Sequence, residues 1–155
     1  MSKIPVLVQN VLDEYIALVN DRLPNMLEAV YLQGSLALGA YVENSSDIDF
    51  IVITNRRLLE GDAIVLSEIH SKIAYQFKNS ELDGVYIVRG DLGRLNLGDE
   101  KYLIYNSCKM SYGSNFDPII WWILQTKGIK VVGTEQTVFD FDVHISHLLF
   151  YVMKT

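Results

Sequence analysis

The stretch Asp47-Ile48-Asp49-Phe50-Ile51-Val52-Ile53-Thr54 constrains this chain more than any other. It first alternates polar with apolar residues and then turns continuously apolar, as a β-strand does when it enters a buried sheet. Such a strand needs covering elements, and the sequence supplies them. Between Pro5 and Leu23, the residues Leu7, Val11, Ile16, Val19 and Leu23 fall near one helical face. Pro5 suits the first turn of that helix and Pro24 stops it. Leu66, Ile69, Ile73 and Phe77 predict a second helix over 57–77, with Gly61 as a break near its start. Further strands are predicted over 27–32, 82–88, 102–105 and 129–132. Asp117-Pro118 opens another helix through Lys127, closed by Gly128. This order implies an α/β (α+β) domain, with helices packed on a mixed or mostly antiparallel sheet.

At 155 residues, half of them hydrophobic and 21% charged, the chain has the size and composition of one globular domain spanning 1–155. Thirteen Lys and Arg against nineteen Asp and Glu leave a formal charge of −6. That balance lacks the basic face of a dedicated nucleic-acid binder, so no stable DNA binding is expected. Nucleotides as substrates stay open, because a local metal offsets acidic surroundings. The lone cysteine, Cys108, forms neither an internal disulfide nor a zinc site by itself, which fits a reducing compartment. No apolar run approaches the roughly 18 residues that span a bilayer. Asn10, Asp13 and Glu14 interrupt any signal-peptide pattern. A cytoplasmic protein with no membrane partner is expected.

The chemistry concentrates in Gly34-Ser35 and Asp47-x-Asp49. Residues two apart on a strand share a face, so Asp47 and Asp49 present two carboxylates together while Ile48 turns into the core. Two anions at the mouth of an apolar strand repel each other and lose solvation, and bound cations remove that difficulty. Oxygen ligands of this kind favour Mg²⁺, which keeps several waters and bridges carboxylates to substrate phosphates. Gly34 lets backbone approach a phosphate closely, and N–H groups with the Ser35 hydroxyl would hold its oxygens. A helix beginning near Leu36 would add its partial positive charge. Two antiparallel strands would bring this cradle and the carboxylates together around a metal-bound nucleoside triphosphate.

Gly34-Ser35-Leu36-Ala37-Leu38-Gly39 with Ser46-Asp47-Ile48-Asp49-Phe50 resembles the signature of the DNA polymerase β-like nucleotidyltransferase superfamily. Within it, the chain is most similar to aminoglycoside adenylyltransferases of the streptomycin/spectinomycin kind, an antibiotic-resistance activity. The resemblance runs from about Ala29 to Gly133. It implies the nucleotidyltransferase fold and a third carboxylate on a later strand, which nominates Asp83. It further implies transfer of a nucleoside monophosphate, AMP from ATP, to an acceptor hydroxyl such as that of an aminoglycoside, with two Mg²⁺ ions. Asp47 and Asp49 would share both ions, Asp83 would ligate the catalytic ion, act as base, or do both, and Gly34 and Ser35 would hold the β- and γ-phosphates. Two departures stand out. The streptomycin and spectinomycin enzymes commonly carry Glu as the third carboxylate, whereas Asp83 is one methylene shorter. They also carry a C-terminal helical domain, of which 139–155 is at most the start. One alternative is a minimal nucleotidyltransferase that modifies a protein or RNA partner, as in toxin–antitoxin pairs. Another is a non-catalytic binding or dimerisation module, with the apolar C-terminal segment as a homodimer interface.

Other residues read more plainly. Asp83-Gly84 is also compatible with a turn. Trp121 and Trp122 are adjacent on a predicted helix, so both cannot face one core direction. His144 and His147 lack the additional ligands of a metal site. His70 and Cys108 have no evident partner, and Arg56, Arg57, Lys101 and Lys109 could each counter a phosphate but read by default as solvated surface charge.

Overall fold

The apolar run after Asp49 is explained by burial on both sides. In the computed structural model, Phe50 and Val52 face one hydrophobic core while Ile51 and Ile53 face a second, and all four are fully buried. At about 1.5–3 kcal/mol for each buried aliphatic or aromatic side chain, this strand is a principal source of cohesion. The structure describes residues 4–34, 39, 47–78, 81–106, 108–114, 116, 120–122, 124 and 128–133. Ser35, the nominated helix start at Leu36, the Asp117-Pro118 helix opening, His144, His147 and the segment 139–155 all lie outside the described residues.

Among the described residues the element order is α1 (Val6–Arg22), β1 (Leu27–Leu32), β2 (Ile48–Thr54), α2 (Glu60–Gln76), β3 (Leu82–Val88), a 3₁₀ turn (Arg89–Asp91), β4 (Tyr102–Asn106), β5 (Lys109–Gly113) and β6 (Ile129–Val132). The strands form one six-stranded mixed sheet in the order β5-β4-β3-β2-β1-β6. β2 and β3 are parallel, and every other neighbouring pair is antiparallel. The parallel pair requires a crossover connection, and α2 provides it. This is the α+β architecture that the sequence implies.

α1 and α2 share one face of the sheet. Val8, Val11, Leu12, Tyr15 and Val19 from α1 pack with Leu66, Ile69 and Ile73 from α2 over Val30, Leu32, Phe50 and Val52. The other face is closed by Leu97, Phe116, Trp121 and Leu124 against Ala29, Tyr31, Ile51, Ile53 and Ile87. Trp121 is buried, with Nε1 donating to the Arg94 carbonyl at 2.8 Å, whereas Trp122 is 41% exposed. No helix among the described residues is long and apolar enough to cross a membrane.

Three details differ from the sequence reading. α2 begins at Glu60 rather than Arg57 and is not broken by Gly61. Its start is set by Asp62, whose carboxylate accepts the Leu59 backbone N–H at 2.8 Å and is paired with Arg56 at 2.7 Å. Arg57 is tied at 3.0 Å to buried Asp91, which Arg94 also contacts, so it is not simply a solvated charge. His70 has partners after all. Its Nε2 lies 2.7 Å from the Tyr86 hydroxyl, which is also hydrogen-bonded to the Tyr15 hydroxyl, and its ring stacks on Tyr105 at 3.8 Å.

A carboxylate-lined candidate active site at one end of the sheet

The parallel pairing of β2 with β3 builds the site. Its register sets Ile48 opposite Leu82 and Asp49 opposite Asp83. Register partners on neighbouring strands lie about 4.8 Å apart and point to the same face. Asp49 and Asp83 therefore stand side by side on the sheet face opposite the helices. Asp83-Gly84 lies within β3, so its turn reading is set aside. Gly84 has a packing reason: a Cβ there would come within 2.6 Å of the Phe50 ring. The Phe50 ring thus packs against Gly84 of β3 on the helix face, opposite the face that carries Asp49 and Asp83.

Gly34 completes the arrangement. Just after β1, the Gln33 N–H donates to the Asp49 carbonyl at 2.9 Å and keeps this segment beside β2. Gly34 follows with φ +64°, and a Cβ there would lie 2.3 Å from Asp49 Oδ2. Only glycine accommodates both the left-handed backbone and the carboxylate resting on it. Ser35, which the sequence pairs with Gly34 as an expected phosphate cradle, is outside the described residues.

Asp47 precedes β2, two residues before Asp49, and is exposed. Burial pushes the Asp49 carboxyl up to about 6, and the neighbouring Asp47 charge pushes in the same direction. The site therefore holds an anion that pays for its position. Among the described residues no three His, Cys, Asp or Glu side chains already converge on a common metal position. The structure thus pairs Asp49 with Asp83 and adds Asp47 nearby, without a closed three-ligand cage. Mg²⁺ does not demand one, because it keeps several waters and is commonly held by one or two carboxylates plus substrate phosphates.

Sequence reasoning missed two neighbours. Glu81 lies one step before the Ile48–Leu82 pair; its carbonyl accepts the Ile48 N–H at 2.8 Å, and its Oε1 is 3.8 Å from Cys108 Sγ. The β4–β5 hairpin, with Cys108 at φ +62°, brings Asn106 and Lys109 to the same end of the sheet. The Glu81-x-Asp83 spacing was a usable signal for the first, whereas nothing in the sequence announced the hairpin.

A model of the nucleotidyltransferase domain matches residues 12–104, well over half of the chain. The chain belongs to the nucleotidyltransferase domain family. The matched span contains Gly34, Asp47, Asp49 and Asp83. Among solved structures, a spectinomycin adenyltransferase from Enterococcus faecialis, determined with ATP and spectinomycin, aligns at a TM-score of 0.67 and 16% identity. The alignment covers 94% of this chain and 64% of that enzyme, so the chain spans less than two thirds of its length. At this identity the likeness establishes the fold, and it agrees with the superfamily resemblance of the sequence. A toxin–antitoxin structure with AMP-PNP aligns over 94% of this chain and 85% of its own at 20% identity and a TM-score of 0.48. The toxin–antitoxin MntA-HepT aligns over the same shares at 18% identity and 0.45. Both are too loose to carry an argument. No curated protein sequence matches the chain significantly.

Proposed function

We propose that this domain transfers a nucleoside monophosphate, AMP from ATP, to an acceptor hydroxyl in a reaction dependent on Mg²⁺. The observation that carries the reading is the Asp49–Asp83 pair on adjacent parallel strands, with Gly34 packed against the Asp49 carboxylate. Asp47 and Asp49 would hold the divalent ions with Asp83, and Gly34 with Ser35 would receive the β- and γ-phosphates. When bound, the ions supply charge neutralisation on the triphosphate and favour the ionised acceptor oxygen.

The side chains divide the remaining work. Gly34 allows the triphosphate to approach the backbone without a Cβ in the way. Asp49, raised in pKa by burial and by Asp47, is poised to gain from any cation that replaces its lost solvation. Asp83, on the far side of Asp49 from Gly34, is placed to accept the acceptor's proton as its oxygen attacks the α-phosphorus. The new O–P bond forms as the bond to the β-phosphate oxygen breaks, and pyrophosphate leaves with the electron pair.

Calorimetry with ATP, with and without Mg²⁺, tests this on the wild type and on Asp49→Ala. Mg²⁺-dependent ATP binding that disappears in the variant supports the site. Absence of ATP binding to the wild type, or equal binding in both proteins, contradicts it and favours a non-catalytic module.

A further inference from the structure

The sheet register draws a single polar row across the site end. Asp49 is opposite Asp83; one step beyond the Gly84–Tyr105 pair, Asp83 meets Asn106; and Asn106 is opposite Lys109. Gln33, hydrogen-bonded to the Asp49 backbone, extends the row on the other side. Opposed residues share a face, so this row lies on the face that carries Asp49 and Asp83. The next row inward, Ile51, Val85, Ile104 and Ser111, is apolar except at its edge. A floor of two half-buried apolar residues, Val85 and Ile104, thus runs from the carboxylates toward β5, with Lys109 exposed at its rim.

Lys109 is the cation that the β4–β5 hairpin places on this row, and among the described residues it is not committed to a carboxylate. All five arginines are committed to carboxylates: Arg22 to Glu68, Arg56 to Asp62, Arg57 and Arg94 to Asp91, and Arg89 to Glu28. Lys109 makes no ion pair among the described residues, Glu81 included. It sits two strands from Asp83, about 10 Å across the sheet, within reach of a small molecule whose hydroxyl lies over Asp83.

Direction of approach assigns this edge a role. Displacement at phosphorus places the attacking and leaving oxygens in line, on opposite sides of the α-phosphorus. With the leaving pyrophosphate toward Gly34, the acceptor must come from the opposite side, over Asp83 and the β4–β5 floor. We infer that Lys109, supported by Asn106, is a specificity-determining residue that binds an anionic phosphate group carried by the hydroxyl acceptor. This inference rests on the nucleotidyltransferase reading and deepens it.

The test compares wild type with Lys109→Glu and Lys109→Ala in transfer of AMP from ATP with Mg²⁺. The probes are ribose 5-phosphate, a short oligonucleotide with a free 3′-hydroxyl, neutral ribose and an aminoglycoside. Wild-type ATP binding with Mg²⁺ is measured first by calorimetry; its absence overturns the nucleotidyltransferase reading itself. Given binding, the expected result is transfer to a phosphate-bearing probe, with KM raised roughly tenfold or more in Lys109→Glu and less in Lys109→Ala. The neutral probe's KM should move less than about twofold, since it offers no charge to the side chain. Preference for ribose 5-phosphate or for the oligonucleotide identifies the phosphate's source. Transfer to the aminoglycoside alone, KM values indifferent to Lys109, or ATP binding with no transfer to either phosphate-bearing probe would each overturn the assignment.

Discussion

Asp49 of the proposed site holds its negative charge at a cost to folding. Burial, reinforced by Asp47, raises its carboxyl from 3.8 to about 6. A carboxyl raised on folding contributes stability that is present below the unfolded value and lost as pH rises through the folded one. The metal-free protein should therefore lose this contribution between about pH 4 and 6. Asp49→Asn should be more stable than wild type at pH 7–8 by about 1–2 kcal/mol, allowing for solvent screening, and the gap should close near pH 4. Urea melts across that range check the sign; an equally or less stable variant at pH 8 contradicts it. Gly34→Ala should fail differently. The added Cβ collides with Asp49 Oδ2 at φ +64°, which should cost about 1–3 kcal/mol and weaken ATP binding together. Comparing its melting temperature and ATP titration with wild type reads both effects. Asp47, Asp49 and Gly34 were legible because short spacings on strands and turns fix orientation locally. Asp83 needed the family resemblance, since only the β2–β3 register brings it beside Asp49.

At the level of elements, periodicity located most of the fold. β1, β3 and β6 fall where the sequence places them, and β2 and α1 differ by a residue at their ends. β5 was missed because its turn uses Cys108 in the left-handed region, a conformation that glycine or asparagine would have advertised. The Tyr15–Tyr86–His70 cluster was invisible for another reason: it joins α1, β3 and α2, and pairings across 71 and 16 residues leave no local pattern. This cluster lies under Phe50, on the helix side of the strands that carry Asp49 and Asp83. Tyr86→Phe removes the hydroxyl shared by Tyr15 and His70 and should cost about 2–4 kcal/mol, because both partners stay buried. Denaturant unfolding measures it; a loss below about 0.5 kcal/mol would show the network to be energetically idle. Burial also holds the His70 imidazole down, to about 3. A depressed histidine contributes stability present above its unfolded value of 6.5 and lost as pH falls toward 3. His70→Gln, which has no such proton to take up, should show a shallower decline in melting temperature over that window. An unchanged slope would count against His70 as its source.

The whole molecule is polarised along its strands. One end gathers Asp47, Asp49, Glu81 and Asp83, while the other pairs Arg57 and Arg94 with buried Asp91 and Arg89 with Glu28. The paired end fastens the segment after β3, including Leu97, over the second core, and the acidic end is left in need of cations. That end is where the proposed nucleotidyl transfer would take place. Chelation by Asp83 is the step on which the proposed mechanism turns. Electron paramagnetic resonance of Mn²⁺ bound with a non-hydrolysable ATP analogue, in wild type and Asp83→Asn, measures it directly. Wild type should immobilise Mn²⁺ only with the nucleotide present, and Asp83→Asn should weaken that binding by roughly tenfold or more, within the range of a lost charged ligand. Equal Mn²⁺ binding by the two proteins would contradict the account.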